Sequence, residues 1–405
     1  MANTFLNIDE ITLAALDVFE NSLGAAKTCS RAVESSFAKK GAQIGDSIRI
    51  RKPVQFTVRS GTTFAAQDIT ETNATLTLDK QRGVDFAMTS KERTLNLGDF
   101  INTLVKPAIV RLANEIDSDV ISTVSKATFT HIGTPGTTPS STQTYIDAGT
   151  RLSDMTCPRG PGERHLMVNP EMEGDIAYAL REYTNPGNNI GMANRTAEIG
   201  FRAAGWDWMM DQNAYRHTVG TYGGTPLING ASESGSSIAT DGWTSGGTAL
   251  KDGDRFTIAD VYAVNPVTKS TLSYLQQFVI TADTSDSSGD INALPISPSI
   301  TTSGAFQNVS AAPADNAAIT MVGTTGQVYS MGLGMNEQAA ALAIVPLEKP
   351  GDANRASVKY DSQSGVGIRC VEWYDGDDDK FKVRFDVLYG LITQRPEWAV
   401  VVAAA

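Results

Sequence analysis

Residues 91 to 126 read KERTLNLGDFINTLVKPAIVRLANEIDSDVISTVSK. Within them Leu104, Ala108, Ile109, Leu112, Ile116, Val120 and Val124 recur at steps of three and four, the period that gathers apolar side chains on one face of an α-helix. Pro107 has no amide hydrogen to donate and fits best in a first turn, so the spacing predicts a short helix before it and a long one after it. A helix from Pro107 to Lys126 would reach roughly 30 Å, enough to brace a whole domain.

Upstream of this rod the period changes to two. Residues 46 to 59 alternate Ile48, Ile50, Val54, Phe56 and Val58 with polar or basic neighbours, and residues 73 to 88 answer with Ala74, Leu76, Leu78, Val84, Phe86 and Met88. Residues 60 to 72 are a polar connection containing Gly and Thr, so residues 41 to 90 read as an extended two-stranded loop. Two strands cannot bury both faces alone. Such a loop leans on a neighbouring subunit or completes a larger sheet of its own domain, and both readings stay open. Residues 1 to 40 read as an N-terminal arm: Ile8, Ile11, Ala15, Val18, Phe19 and Leu23 form one helical stripe, and Asn7 and Glu10 are spaced like a capping box. That stripe packs on its own domain or docks on a partner.

Downstream, residues 130 to 145 are rich in Thr, Gly, Pro and Ser and read as a loop. A mixed segment follows to about residue 218, with turns at Pro158–Pro161 and Asn185–Gly187. Residues 222 to 322 shift to Gly, Ser and Thr with short strand-like runs at Phe256–Ile258, Val261–Val264 and Leu275–Ile280, which predicts an inserted all-β module. After it, Phe381, Val383, Phe385 and Val387 alternate with Lys382, Arg384 and Asp386, a strand with one apolar and one polar face.

The chain has 405 residues, 41% hydrophobic and 19% charged, which suits two or three folded domains with real cores. Its formal net charge of −12 is the wrong sign for a chain whose main task is gripping nucleic acid. Cys29, Cys157 and Cys370 lie far apart, without disulfide or zinc spacing, and suit a reducing compartment. The start, MANTFLNIDE, has neither a basic lead nor a long apolar run, and no window holds eighteen uninterrupted apolar residues. The expectation is a protein without signal peptide or membrane span, soluble and cytoplasmic at synthesis.

Motifs for catalysis are missing. No Gly-Lys dipeptide occurs, so the phosphate-cradling P-loop is absent. His131, His165 and His217 are not followed by Glu, and no Gly-x-Ser-x-Gly elbow exists. His165 precedes Leu166-Met-Val168, a buried-strand run, and reads as a packed or surface histidine. The acidic run Asp375–Lys380 lacks calcium-loop spacing and reads as a solvated hairpin turn, while Asp283, Asp286 and Asp290 read as a mobile loop. No catalytic, cofactor or metal residue is assigned. Basic residues gather once: Arg49, Arg51, Lys52 and Arg59, joined by Lys80 and Arg82 on the return strand. No interleaved aromatic platform accompanies them, so pairing with acidic surface of another subunit fits better than single-strand binding. With Ile11 and Phe19 they form the candidate inter-subunit set.

The order of parts resembles the major capsid proteins of tailed phages, and among them the Lederbergvirus-type coat proteins with an inserted β-domain. The residues that carry the likeness are Glu92–Pro107 running into the long helix, Gly253-Asp-Arg-Phe through Pro266, Ala305–Val309 with Pro313–Asp315, and the ending Tyr389-Gly-Leu-Ile-Thr-Gln-Arg-Pro-Glu-Trp398. The resemblance implies an α+β, HK97-like capsid fold: arm 1–40, extended loop 41–90, spine helix and peripheral domain 91–150, peripheral and axial parts 151–221, inserted β-domain 222–322, and axial and peripheral parts 323–405. It implies a non-enzymatic shell subunit without cofactor or membrane contact. Its partners would be many copies of itself in pentamers and hexamers, a scaffolding protein, a portal protein and packaged double-stranded DNA held by enclosure. Its place would be the virion shell after assembly in the host cytoplasm. The alternative from composition is a β-rich tail or adhesin-like protein, since Ser/Thr/Gly-rich strands build those too, and a hydrolase is the enzymatic rival.

Overall fold

The computed structural model describes residues 8–31, 47–52, 56, 61, 62, 64, 66, 73–91, 101–179, 202–350, 355–361 and 365–405. Asn7 of the expected capping box, Arg59, the run 92–100 and the turn 185–187 lie outside the described residues. Four α-helices are described: α1 (Ile8–Ser22), α2 (Lys106–Ala127), α3 (Thr142–Asp154) and α4 (Pro170–Ala179). Strands β1 (Ser47–Arg51), β2 (Asn73–Thr77) and β3 (Lys80–Thr89) precede α2. Then come β4 (His131–Ile132), β5 (Arg164–Val168), β6 (Asp207–Met210) and β7 (Arg216–Thr218). The insert carries β8 (Gly224–Ile228), β9 (Gly235–Trp243), β10 (Ala249–Leu250), β11 (Arg255–Val264), β12 (Thr271–Ile280), β13 (Thr284–Ser285), β14 (Ile291–Ile300) and β15 (Ile319–Met321). The chain closes with β16 (Val328–Asn336), β17 (Ala340–Val345), β18 (Arg355–Asp361), β19 (Val366–Asp375), β20 (Lys380–Thr393) and β21 (Ala399–Ala403).

Chain contacts divide the protein into two compact units, Met1–Ile50 with Asn73–Val120 and Ala341–Ile392, and Arg51–Thr72 with Ile121–Ala340 and Thr393–Ala405. The long helix begins as its composition requires. Pro107 is its second residue, where no amide partner is lost, and a short π-helical turn at Ile101–Val105 leads into it. Its buried stripe runs through Ile109, Leu112, Ala113, Ile116, Val120, Ile121 and Val124.

In the first unit β20 is the central strand, flanked by β19 on one side and by β3 and β17 on the other, with β18 beyond β19. β3 pairs with β20 over its whole length, from Lys80 opposite Tyr389 to Thr89 opposite Lys380. The return strand of the extended loop therefore completes a larger sheet, while β1 and β2 form a separate two-stranded sheet. Phe385 and Val387 on β20 are fully buried. Asp386, expected on the polar face, is buried too, because Arg369 of β19 reaches both its oxygens, Nε to Oδ1 at 2.8 Å and Nη2 to Oδ2 at 2.5 Å. A charge on a buried face persists only when paired in this way. Helix α1 packs on β18 and β19 with Ala15, Leu16 and Phe19 buried.

In the second unit a sheet runs β4-β21-β16-β5-β6, with β7 pairing the start of β16. Helices α3 and α4 bury Tyr145, Ala148, Leu152, Met172 and Ile176 with Trp206, Leu166, Val400 and Val402 in one core. Trp206 is fully buried, and its indole N–H donates to the Tyr145 carbonyl at 2.9 Å, so the largest side chain of that core has its polar atom satisfied. The insert is a six-stranded antiparallel sheet in the order β15-β11-β12-β14-β9-β8. A bridge between Leu227 and Ala318 joins its two edges, with Ile228 N donating to Ala317 O at 3.0 Å, so the sheet closes as a barrel. Closure removes exposed edges. Phe256, Phe278, Ile280, Leu294 and Ile296 fill its interior.

Candidate assembly surface and its anchoring

The basic cluster of the extended loop divides into two sets. On β1, Ser47, Arg49 and Arg51 share the exposed face, while Ile48 and Ile50 alternate with them half-buried. Lys52, half-buried just beyond β1, acts on Glu397, whose carboxyl burial pushes up while Lys52 and Arg395 pull it down. Phe56 and Phe64 on the loop are 63% and 85% exposed. An extended segment that presents arginines and aromatic rings to water is suited to covering by another surface.

Lys80, half-buried, and Arg82, exposed, reach toward α2. Lys80 Nζ and Arg82 Nη2 each lie 3.6 Å from Asp119 Oδ2 on α2, and the Tyr389 hydroxyl donates to the same oxygen. Tyr389 is fully buried, and burial together with that carboxylate holds its phenol well above the usual range. The side chains expected to pair with a neighbouring subunit thus find an acidic partner in their own unit, because β3 joins β20 beside the helix that carries Asp119. Phe19 likewise has no surface to offer a neighbour, being fully buried within its own unit, while Ile11 is half-buried on α1. Of the described residues singled out from the sequence, Arg49, Arg51 and Arg82 are exposed, the first two on one face of β1.

The loop base is further fixed by close packing. A Cβ added to Gly390 of β20 would lie 2.1 Å from the Thr77 carbonyl oxygen at the end of β2, so only glycine admits the crossing. Asp85 on β3 and Arg384 on β20 form a bidentate surface pair at 2.9 and 2.7 Å. Asp117, absent from the sequence-based set, is 2% exposed and takes both the Gly24 and Ala26 amides at 2.8 Å. A signal for it exists in the sequence: an aspartate between Ala113 and Ile121 on the buried stripe of α2 needs a dedicated partner.

The barrel has its own anchorage in the second unit. Arg255, in the Gly253-Asp-Arg-Phe motif, is buried and donates from Nε to Thr128 O at 2.9 Å and from Nη2 to Ser125 O, the carbonyls left open where α2 ends. Asp254 accepts from Gly220 N at 3.1 Å, Lys251 N at 2.8 Å and His217 Nε2 at 2.7 Å. Gln277 of β12 clamps the His131 backbone of β4, accepting its N–H at 2.7 Å and donating to its carbonyl at 2.9 Å. Asp283 and Asp286, expected in a mobile loop, are held: Asp286 takes the amides of Gly246, Thr248 and Gly289, and Asp283 pairs with Lys251 at 2.9 Å.

Groups that could do chemistry sit in structural roles. Burial pushes the Cys157 thiol up to about 11 and that of Cys370 to about 12, away from thiolate reactivity. Burial, with Arg255 adding to it, pushes His131 down to about 3. The acidic run is a hairpin turn between β19 and β20, with Asp375 bonded to Lys382 at 2.6 Å and Asp379 taking the Tyr374 hydroxyl at 2.9 Å. Among the described residues no group of three or more His, Cys, Asp or Glu is placed to hold a metal ion, and no helix is long and apolar enough to cross a membrane.

A family model described as P22 coat protein, gene protein 5, matches residues 1–402. The chain belongs to the P22 coat protein family. Among curated relatives, the major capsid protein of Acyrthosiphon pisum secondary endosymbiont phage 1 is 23% identical over 423 residues, covering 98% of each chain. Among solved structures, that of Mycobacterium phage Che8 is 15% identical with a TM-score of 0.46 and covers 94% of this chain and 90% of its own. The capsid of Ralstonia phage GP4 is 10% identical with a TM-score of 0.43, covering 94% and 88%. As a P22-type coat protein of a tailed phage the chain is a structural subunit, which sets aside the tail or adhesin alternative, and its α+β architecture with an inserted all-β domain is the class expected from its sequence.

Proposed function

We propose that this coat protein assembles with a scaffolding protein into an icosahedral procapsid of pentamers and hexamers in the host cytoplasm. The procapsid receives a portal protein and matures into the virion shell that holds double-stranded DNA by enclosure. The peripheral, axial and inserted segments keep the bounds read from the sequence, and the shell performs no catalysis. The observation that carries the reading is the exposed basic face of β1, Arg49 and Arg51, on a loop whose base is tied to its own unit. A fixed return strand and an exposed charged strand face suit an element that overlaps a neighbouring copy, where many weak ion pairs add over symmetry-related sites.

The net charge of −12 supports enclosure, because an acidic wall adheres weakly to a polyanion. Electron microscopy of the protein co-expressed with its scaffolding partner tests the reading directly: closed shells are expected, and trimers or fibres reject it. Reversing Arg49, Arg51 and Arg59 to glutamate should abolish shells while leaving the circular dichroism of the subunit unchanged, and normal particles would remove the loop from the assembly mechanism. Empty shells should bind duplex DNA weakly at every salt concentration. Tight binding that fades steeply with salt overturns the electrostatic part.

A further inference from the structure

Within the second unit the β11–β12 hairpin is held at two places, and the two are built differently. At its root Arg255 and Asp254 are buried and bonded to the Thr128 carbonyl and to His217, while Gln277 clamps the His131 backbone. At its tip the hairpin meets the last turn of α3. The Arg151 guanidinium lies 3.2 Å from the centroid of the Tyr274 ring, the Tyr274 hydroxyl donates to Asp154 Oδ2 at 3.2 Å, and Asn265 Nδ2 donates to the Asp154 carbonyl at 3.1 Å. Burial pushes the Tyr274 phenol up to about 12, so it stays a donor at neutral pH. Arg151, Asp154, Asn265 and Tyr274 are all half-buried. Contacts within reach of water open before buried ionic ones, because water replaces the bonds they lose.

Between root and tip the hairpin is interrupted. Thr257 of β11 faces Gln277 of β12, but the next pair is Tyr262 with Leu275, and Asp260 inside this bulge has a φ of 62°. A bulge breaks the ladder and bends the strand, so the tip is not rigidly continuous with the root. Nor does the next strand splint it, since β12 pairs with β14 at Val279 and Ile280, near the root. The tip is bonded instead to the segment after β14: Val264 N donates to Asn308 O at 3.1 Å, Ser310 N to Tyr262 O at 2.9 Å and Lys269 Nζ to Ala305 O at 2.6 Å. The geometry points to a latched flap: residues 262–275 with 304–310 turn together about the Asp260 bulge, and Arg151, Asp154 and Tyr274 are positioning residues that hold this flap closed on α3. The strand from Asp260 to Asn265 reaches roughly 16 Å, so a turn of about 20° carries Asn265 about 5 Å and parts the tip from α3 while the buried root stays in place.

Native-state hydrogen exchange of the full-length protein in low urea tests the latch. In the wild-type chain the amides of residues 262–275 should exchange faster than those of 255–257 and 277–280, by roughly tenfold or more, as a flap that opens without its root requires. Tip exchange should hardly respond to urea, because a small opening exposes little surface, whereas root exchange should climb steeply with it. Arg151→Gln and Tyr274→Leu should each quicken the tip by roughly a further tenfold with its insensitivity to urea kept, and Tyr274→Phe, which leaves a ring under Arg151, should fall between them and the wild type. Tip amides that match the root in both rate and urea dependence overturn the latch, since the hairpin then opens only when the barrel unfolds. Variants that leave tip exchange unchanged overturn the assignment of its residues. If Tyr274→Leu fails to fold, Arg151→Gln, on the half-exposed side of the contact, decides by the same measurement.

Discussion

Replacing Arg255 by methionine should loosen the barrel from the end of the long helix at a calculable cost. The guanidinium is buried, gives hydrogen bonds to Thr128 O, Ser125 O and Gly253 O, and sits beside buried Asp254. Burial pushes Arg255 down to about 10, so it stays charged at neutral pH. A hydrogen bond from a charged donor contributes about 1.5–3 kcal/mol, and a cation at a helix C-terminus adds roughly 0.3–1 kcal/mol. The cost of burying the cation offsets part of this, and removing one partner from a buried ionic network nets about 3–5 kcal/mol. Urea unfolding of the subunit followed by tryptophan fluorescence should show a loss of that size, with Arg255→Lys intermediate because an ammonium cannot span both helix carbonyls. Hydrogen exchange at residues 128–132 should rise in parallel. A loss below about 1 kcal/mol would refute the assignment of Arg255 as the joint, since no arrangement of unsatisfied carbonyls at the helix end is that cheap.

Other consequences are as concrete. His131, pushed down to about 3 in the folded chain, stays neutral while an unfolded histidine near 6.5 takes a proton, so the unfolded state binds more protons and stability falls as pH drops below 6.5. By pH 5 the loss from this residue is about 2 kcal/mol, and His131→Leu should flatten that part of the acid limb, as urea midpoints measured from pH 7 to 5 will show. Gly390→Ala should push Thr77 off β20 and cost about 1–3 kcal/mol, with quicker exchange confined to β2 and the start of β3; an unchanged exchange map would contradict the close crossing. Exchanging half-buried Arg369 and its buried partner Asp386 for Met and Leu should leave urea stability within about 2 kcal/mol of wild type yet lower the yield of regular shells, as counted in micrographs.

Periodicity makes much of the fold legible. The stripe from Ile109 to Val124, the placement of Pro107 and the alternation from Phe381 to Val387 each report a local preference that tertiary packing preserves. Partners are less legible, because sequence period tells which face is buried and not against what. β3 reads as the return strand of a loop that leans on a neighbour or completes a sheet of its own domain, and its pairing about three hundred residues onward with β20 decides for the latter. That pairing carries Lys80 and Arg82 to Asp119, so a cluster that reads as one basic surface divides into the exposed face of β1 and a pair held against α2. Phe19 fits an apolar stripe equally well on its own sheet or on a neighbour, and the burial of α1 on β18 and β19 decides for the former. Gln277 has no local signal at all, since its amide takes the place of a strand beside His131 only once the barrel is folded.

Several of the buried charged groups stand where one element meets another. Asp117 ties α2 to the turn after α1, Asp386 with half-buried Arg369 links two strands, and Arg255 and Asp254 stand at the root of the barrel. Arg164 joins the end of α3 to β5, donating to Gly149 O at 3.0 Å and to Cys157 O at 2.6 Å. Apolar packing tolerates small rotations at little cost, because it is nearly isotropic, whereas a bidentate carboxylate or a guanidinium among carbonyls admits one orientation. A monomer that works alone gains little from angular exactness between its parts. A coat subunit is different: an error in the angle of one arm is repeated in every copy, and a closed shell forms only if the repeated angles close. Placing the costly buried charges at the joints therefore trades some stability for a fixed shape, which is the property that shell closure selects.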